Sequence, residues 1–201
     1  MSVSKELPVR RFASQATWQA WLDKHHETSS GLWLELAKKG SGLRSVSRSE
    51  ALEVALCYGW IDGQAASVDT QRWRQRFTPR QARSKWSQIN CAAVERLHAE
   101  GSLAPAGVRA MQTAKRDGRW EAAYASPRTM PVPQDLQAAL LDHPRAQRAF
   151  EQLDSQNRYA ILYRLHDAKR AVTRQRRLTE FIRMLEAGET LHPRKPRRAA
   201  V

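Results

Sequence analysis

The sequence predicts an α+β protein that is mostly α-helical, with a small antiparallel sheet in its N-terminal half and a helical C-terminal module. Three observations predict this class. The stretches in which apolar and polar residues alternate, as they do in strands, all lie before residue 80. Three prolines between Tyr124 and Pro133 then interrupt regular structure. Beyond them, apolar residues recur at helical spacing as far as Leu185.

The first elements follow from capping residues and apolar spacing. Residues 1–11 look like a loose leader. Ser14 is a suitable N-cap for a helix over "SQATWQAWLDKHHE", in which three large apolar residues fall on one face. The run "GLWLELAKK" then reads as a short strand. Its alternation places three leucines on one face of the strand and Trp33 on the other.

A capping box and a hairpin pattern come next. In "SRSE" the hydroxyl of Ser47 can accept from the third amide of a helix, and the carboxylate of Glu50 can accept from the backbone of Ser47. This second helix is expected to end near Gly59. The stretches "IDGQAASVD" and "RWRQRFT" predict two strands that are joined by a polar turn around Asp69 and Thr70.

Two more helices complete the first half. One is expected to begin at an N-cap Ser84 and to end at Gly101, with Trp86, Ile89 and Ala93 on its core edge. The stretch "APAGVRAMQTAKRDG" predicts the other, because its first proline suits the first turn of a helix.

The chain is predicted to divide into three segments. Residues 1–124 form an α+β region with the small sheet, and residues 125–190 form the helical module. Residues 191–201 are a basic, proline-containing tail whose composition favours disorder. We find no internal repeat.

The composition is that of an ordinary globular protein except for its charge. Lys and Arg number 34 against 20 Asp and Glu, a net charge of +14 that favours anionic partners. The two cysteines, Cys57 and Cys91, have no metal-binding spacing and suit a reducing compartment. Because there is no apolar signal region and no run of about 20 apolar residues, we expect a cytoplasmic protein without a transmembrane segment.

The densest functional signal is "RWRQRFTPRQARSKWSQIN", which contains six basic residues and no acid. On a strand, Trp73, Gln75 and Phe77 would share one face, and three arginines would share the other. This separation favours a buried aromatic face and a solvated basic face. A platform for single-stranded nucleic acid would instead expose aromatic rings among the charges.

Other polar residues lie close to this stretch. In "CYGWIDGQ" two glycines bracket a turn that presents Asp62, either as an acid/base group or as the ion-pair partner of an arginine such as Arg76 or Arg80. Ser84, Ser87 and Asn90 are three residues apart, so they can line one edge of a helix. We therefore predict a polar, anion-accepting pocket formed by Trp60, Asp62, Arg76, Thr78, Arg80, Trp86, Ser87 and Asn90.

Several catalytic and cofactor patterns are absent from the sequence. There is no phosphate-binding loop, no dinucleotide-binding glycine motif, no nucleophile elbow and no zinc-protease motif. The histidines are either scattered along the chain or adjacent in sequence, and neither arrangement has the spacing of a metal site. We expect no cofactor and no metal, and we favour a binding protein over an enzyme.

The motifs "GLWLELAKKGSG", "EALEVALCYGWIDGQ", "RFTPR" and "SKWSQIN" resemble, in that order, the first part of the bacterial YdeI/OmpD-associated proteins. The stretches "VPQDLQAALLDHPRAQRAFEQL" and "AKRAVTRQRRLTEFIRMLEAGE" are similar to the C-terminal module of that family. The resemblance implies a role in bacteriocin protection, or resistance to antimicrobial peptides, in association with an outer-membrane porin. It implies no enzyme activity, cofactor or catalytic residue.

These observations leave three hypotheses open. The leading one is a non-enzymatic bacterial binding and stress-tolerance protein that holds an anionic ligand, or a protein partner, at the predicted pocket. The second is a nucleic-acid-binding protein that uses the basic surface of its last helix. The third is an enzyme of unknown reaction that uses Asp62 or Cys57.

Overall fold

A computed structural model of the chain describes residues 6–193. Contacts between residues divide the chain into two units, residues 1–123 and 124–201. The predicted tail, residues 191–201, lies outside the described residues from position 194 onward. The three-segment division with its separate tail stays a prediction.

The first unit contains a small sheet. Its strands are β1 (Val9–Arg11), β2 (Leu32–Ala37), β3 (Trp60–Ser67) and β4 (Arg72–Pro79). They lie in the order β1-β2-β4-β3. The three predicted strands, β2, β3 and β4, pair antiparallel, and β1 adds to the edge parallel to β2. The predicted α+β class is therefore confirmed, with a mixed sheet.

The loose leader expected over residues 1–11 is wrong at its end, because Val9–Arg11 form β1. Residues 1–5 lie outside the described part of the chain. A strand of three residues leaves little periodicity to detect, and its partner Trp33 is distant in sequence.

Four helices accompany the sheet: α1 (Gln15–His25), α2 (Arg48–Cys57), α3 (Gln88–Ala99) and α4 (Pro105–Arg116). Both predicted caps at the starts of α1 and α2 are confirmed, since Ser14 and Ser47 each take part in a capping box. Pro105 occupies the first turn of α4, where its missing N–H costs no helical hydrogen bond.

The start of α3 differs from the prediction. Ser87, and not Ser84, is its N-cap, and its hydroxyl accepts from the backbone N–H of Asn90. Ser84 precedes the helix, and its hydroxyl accepts from the backbone N–H of Gln81 at 2.9 Å. Ile89 is 62% exposed, so its predicted place on the core edge of this helix is wrong.

The main core of the first unit lies between α1, α2 and one face of the sheet. It contains fully buried side chains from each of these elements, including Trp18, Leu22, Leu32, Leu34, Ala55, Trp60 and Phe77. A second cluster joins α2 to α3 and α4 around Trp86, Val94, Leu97 and Met111. Gly107 permits this packing, because a Cβ there would lie only 2.3 Å from the carbonyl oxygen of Cys57.

The second unit is helical in its described residues, as predicted. Its helices are α5 (Gln134–Asp142), α6 (Pro144–Glu151), α7 (Ser155–His166) and α8 (Ala171–Glu186). Their apolar faces form one cluster that includes Leu136, Phe150, Ile161, Leu165, Phe181 and Leu185. Arg174 binds Asp135 through two nitrogens, at 2.6 and 2.8 Å, and so links α8 to α5.

Candidate functional site

Strand β4 divides its side chains between two chemically different faces of the sheet. Trp73, Gln75 and Phe77 stand opposite the leucines of β2 and point to the core. We call the opposite side of the sheet the arginine face; it carries Trp33, Glu35, Arg72, Arg74 and Arg76. The alternation predicted for this strand is thus confirmed. Its arginines are half-buried, however, whereas a solvated face was expected.

Arg74 lies against an aromatic ring on the arginine face. The carbon at the centre of its guanidinium is 4.7 Å from the centroid of the Trp33 ring. Trp33 stands directly opposite Arg76, so Arg74 is its diagonal neighbour. The Nε atom of Arg74 is buried and has no hydrogen-bond partner within residues 6–193. The ring therefore fixes the plane of this guanidinium while leaving the Nε–H donor unused.

Arg76 lies over an irregular part of β3. The register between β3 and β4 shifts between Asp62 and Ala65. Gly63 occupies this bulge, and a Cβ on it would lie 3.1 Å from Nε of Arg76. The absent side chain thus lets the guanidinium approach the backbone. Like that of Arg74, the Nε atom of Arg76 is buried without a hydrogen-bond partner among the described residues.

Arg80 follows the end of β4 and stacks on Trp86. Its guanidinium carbon is 3.5 Å from the centroid of the Trp86 ring, and its Nη1 donates to the carbonyl of Lys85 at 3.0 Å. The Trp86 ring is 4.8 Å from that of Trp120. Burial, the cation–π contact and the backbone hydrogen bond together hold the Arg80 guanidinium in one orientation.

The pair of Arg80 and Trp86 lies at one end of the arginine face. Thr78 is half-buried and stands opposite Ile61 of β3, on the same side of the sheet as Arg76. Ile61 packs against the cluster that contains Trp86. Arg74, Arg76 and Arg80 therefore follow one another along one side of β4 toward its end.

Asp62 and Trp60 lie on the core side of the sheet. The Oδ2 atom of Asp62 accepts from Nη2 of Arg48 at 2.7 Å, so the structure pairs it with a helix arginine and not with the expected Arg76 or Arg80. Trp60 is 1% exposed, and its indole N–H donates to the carbonyl of His26 at 3.2 Å. The reason is register, because both residues share the face of β3 that packs on the helices.

Ser87 and Asn90 lie together at the start of α3. The hydroxyl of Ser87 accepts from the backbone N–H of Asn90 at 3.2 Å, and the Asn90 side chain is buried. Since Ser84 precedes the helix, the three residues do not form one helical edge.

The eight candidate residues thus occupy three places. Ser87 and Asn90 lie at the start of α3, next to the Arg80–Trp86 pair at the end of the arginine face. Arg76 and Thr78 lie on the arginine face, and Trp60 and Asp62 lie on the core face. Their part in ligand binding stays a prediction.

Two residues of the arginine face were missed from the sequence. Trp33 and Arg74 were both placed on the correct faces of their strands, but neither was assigned to the site. The available signal was that Trp33 on β2 and the arginines on β4 each lie on the strand face opposite the apolar residues. Their contact became visible only once β2 was known to pair with β4.

The cysteines are poor candidates for a nucleophile. Burial, followed by the charge of nearby Glu53, raises the pKa of the Cys57 thiol to about 11. Burial raises the pKa of Cys91 to about 11 as well. Both thiols are therefore protonated near neutral pH, whereas the thiolate is the reactive form.

Neither a metal cluster nor a membrane helix is seen in the described residues. Residues 6–193 contain no group of three His, Cys, Asp or Glu side chains arranged to hold a metal ion. Within the same range, no helix has the length and apolarity needed to cross a membrane.

Fold and site define a two-unit α+β protein whose sheet presents constrained arginines on the face opposite its core. Residues 10–110, just over half of the chain, match the model of a family described as "Domain of unknown function (DUF8412)", and the chain belongs to this family. Residues 129–188 match the model described as "Bacteriocin-protection, YdeI or OmpD-Associated". This second match confirms the resemblance drawn from the sequence for the C-terminal module, whereas the motifs of the first half lie within residues 10–110, which match the other family model. No curated protein and no solved structure matches the chain significantly.

Proposed function

We propose that this chain is a non-enzymatic binding protein that holds an anionic ligand on its arginine face through Arg74, Arg76 and Arg80. The observation that carries the proposal is the pair of buried Nε–H donors on Arg74 and Arg76, which have no partner in the described part of the chain. We place this activity in the bacterial cytoplasm, in the protective role that the description of the second unit's family names.

Energetics favour a ligand at these donors. A buried donor without a partner costs about 1–3 kcal/mol. An anionic oxygen would remove this cost and add a charge-assisted hydrogen bond, which is about twice as strong as a neutral one. Guanidinium groups suit such ligands because their planar forks match the oxygens of carboxylates and phosphates.

The spacing of the arginines indicates the shape of the expected ligand. Alternate residues of a strand are about 6.7 Å apart, so Arg74 and Arg76 can bind two anionic groups of one extended ligand. Trp33 and Trp86 each already have a guanidinium against the ring. Recognition therefore depends on charge more than on stacking, and a linear polyanion is the expected class. The net charge of +14 would speed its encounter with the chain.

Fluorescence anisotropy with a labelled short oligothymidylate tests this proposal, because that probe is an extended polyanion. The Arg74→Ala/Arg76→Ala variant should bind about tenfold or more weakly than the unaltered chain. The slope of log affinity against log salt should also fall by about two, one for each lost phosphate contact.

Two matched variants remove the same charge elsewhere. Arg145→Ala/Arg148→Ala alters exposed residues of α6, and Arg170→Ala/Arg176→Ala alters exposed residues at α8. A loss confined to the strand variant supports the proposal. A loss confined to the α8 variant would assign binding to the last helix and overturn it. Equal losses in all three would show a nonspecific charge effect, and an absence of binding at low salt would also contradict the proposal.

A further inference from the structure

A separate small pocket lies at the β1 end of the sheet. Its volume is about 140 Å³, and its polar lining comprises Arg11, Glu35, Arg44, Ser45 and Arg72. Arg74, Arg76 and Arg80 do not line it. The pocket therefore raises a question that the proposed function does not answer, and the inference drawn from it does not rest on that function.

Glu35 holds the pocket together. Its residue is 6% exposed, and in the register of the parallel pair it stands beside Arg11 of β1. The Oε1 atom of Glu35 is 2.6 Å from Nε of Arg11 and 3.6 Å from Nη1 of Arg72. A buried carboxylate needs such partners, because desolvation of an unpaired charge is costly. Glu35 thus forms a close ion pair with Arg11 and a longer one with Arg72 at the pocket wall, although its Oε1 makes no hydrogen bond of good geometry within residues 6–193.

The charges that line the pocket do not cancel. Arg11, Arg44 and Arg72 contribute three positive charges against the one negative charge of Glu35. Asp69 approaches Nη1 of Arg72 to 3.8 Å but does not line the pocket. The pKa of Asp69 is lowered, chiefly by the hydrogen bond from the backbone N–H of Gln71. The positive charge of nearby Lys38 is one of the smaller causes. An excess of two positive charges therefore remains at the pocket.

Arg44 is the free cation of this group. It is exposed, and within residues 6–193 it has no ion pair with an acid at 4 Å or less. Ser45, by contrast, is already engaged, since its hydroxyl accepts from the backbone of Ala37 at 2.9 Å and donates to the carbonyl of Val46 at 3.0 Å. Recognition in this pocket therefore depends on guanidinium groups.

We propose that the pocket formed by Arg11, Arg44 and Arg72 over Glu35 binds the terminal phosphate of a phosphomonoester. A phosphomonoester carries up to two negative charges near neutral pH, which match the local excess. Its three terminal oxygens suit guanidinium forks. The pocket volume of about 140 Å³ is several times the space that one water molecule needs. That volume fits a phosphate group and leaves the rest of the ligand outside.

Isothermal titration of the full chain with methyl phosphate, dimethyl phosphate and sulfate tests the charge and shape of the ligand. At about pH 7.5, methyl phosphate and sulfate should bind about tenfold or more tightly than dimethyl phosphate, which is similar in shape but carries one charge. At about pH 5, methyl phosphate becomes a monoanion and should weaken, whereas sulfate should not. Equal binding of the diester, or no binding of either dianion, would overturn the assignment.

Variants locate the binding. Arg44→Ala should lose about tenfold or more in affinity for methyl phosphate, because it removes a lining guanidinium that forms no ion pair within the described part of the chain. Arg44→Lys keeps the charge but not the fork, so its loss should be smaller. Arg145→Ala, an exposed residue of the second unit, is the matched control and should bind as the unaltered chain does. Unchanged binding in Arg44→Ala would sink the proposal.

The binding proposals for the arginine face and for the pocket can be tested independently of each other. The Arg74→Ala/Arg76→Ala variant leaves every arginine of the pocket in place, so it should bind methyl phosphate as the unaltered chain does. If that variant alone lost methyl phosphate, the phosphate site would lie at Arg74 and Arg76 and the pocket assignment would be wrong. Loss of oligothymidylate binding without loss of methyl phosphate supports both assignments.

Discussion

The two faces of the sheet differ in whether their buried polar groups are hydrogen-bonded. On the core face, the amide of buried Gln75 donates to the carbonyls of Gly63 and Gln64. On the arginine face, two residues of the same strand, Arg74 and Arg76, keep buried Nε–H donors without a described partner. A strand can therefore serve stability with one set of alternate residues and binding with the other. The difference predicts which substitutions will unfold the protein and which will change only its ligands.

The largest expected loss of stability lies on the core face. Phe77 is fully buried and its ring centroid is 5.8 Å from that of Trp18. Phe77→Ala should lower the free energy of unfolding by about 3–5 kcal/mol, because it removes apolar contacts and leaves a cavity. Denaturant unfolding followed by tryptophan fluorescence measures the change. Ile89→Ala, at a residue that is 62% exposed, is the control and should cost little. Similar small losses in both variants would contradict the assigned core.

Gln75→Ala tests whether the core face tolerates an unsatisfied polar group. The variant leaves the Gly63 carbonyl, which now accepts at 2.6 Å, without its donor. We expect a loss of about 1–3 kcal/mol, the usual cost of a buried polar group without a partner. Amide hydrogen exchange should also quicken in β3 around the bulge. Gln71→Ala, an exposed neighbour, should change neither quantity. A neutral Gln75→Ala would mean that water replaces the amide without cost.

Local signals in the sequence predicted most of the first unit. The caps at Ser14 and Ser47 and the alternation of β2 and β4 depend on neighbours within four residues, so they could be read directly. The start of α3 could not, because Ser84 and Ser87 are equally suitable caps by type. In the structure, Trp86 is stacked against Arg80 and the helix begins after it. This tertiary contact is not visible in the local sequence.

The candidate site depended on contacts that the sequence does not display. Alternation placed Arg76 on the correct face, but the bulge at Gly63 shifts the register of β3. Asp62 and its partner Arg48 are 14 residues apart, on a strand and a helix whose packing no local pattern reveals. The contacts of Glu35 with both of its arginines likewise need the order of three strands. Long-range pairing, and not residue type, therefore limited the prediction of the site.

Arginines that support structure behave differently from those on the arginine face, and pH separates them. In the second unit, the hydrogen bonds from Arg174 hold the pKa of Asp135 below its usual range. Because the folded pKa is lowered, this pair stabilises the fold above about pH 4, the unfolded value. The contribution is lost as pH falls through the lower folded pKa.

Asp135→Asn should therefore lower the free energy of unfolding at neutral pH by at most about 1 kcal/mol, since both side chains are about a third exposed and solvent screens the pair. The difference from the unaltered chain should shrink in strong acid. Thermal unfolding across this pH range measures both effects, with exposed Asp142→Asn as the control. A difference that persisted unchanged into strong acid would show that the carboxylate charge is not the cause.

The smallest expected effect is that of Arg76→Ala on stability. Its Nε–H makes no hydrogen bond within residues 6–193, so the substitution removes a half-buried charge without leaving a described acceptor of that donor unpaired. It also relieves repulsion from Arg74, whose Cα lies about 6.7 Å along the strand. Lost packing of the side-chain stem on Gly63 opposes these gains. We expect a net change within about 0.5 kcal/mol, measured under the conditions used for Phe77→Ala. A loss as large as that of Gln75→Ala would show that Arg76 holds the bulge in place, and the arginine face would then be structural.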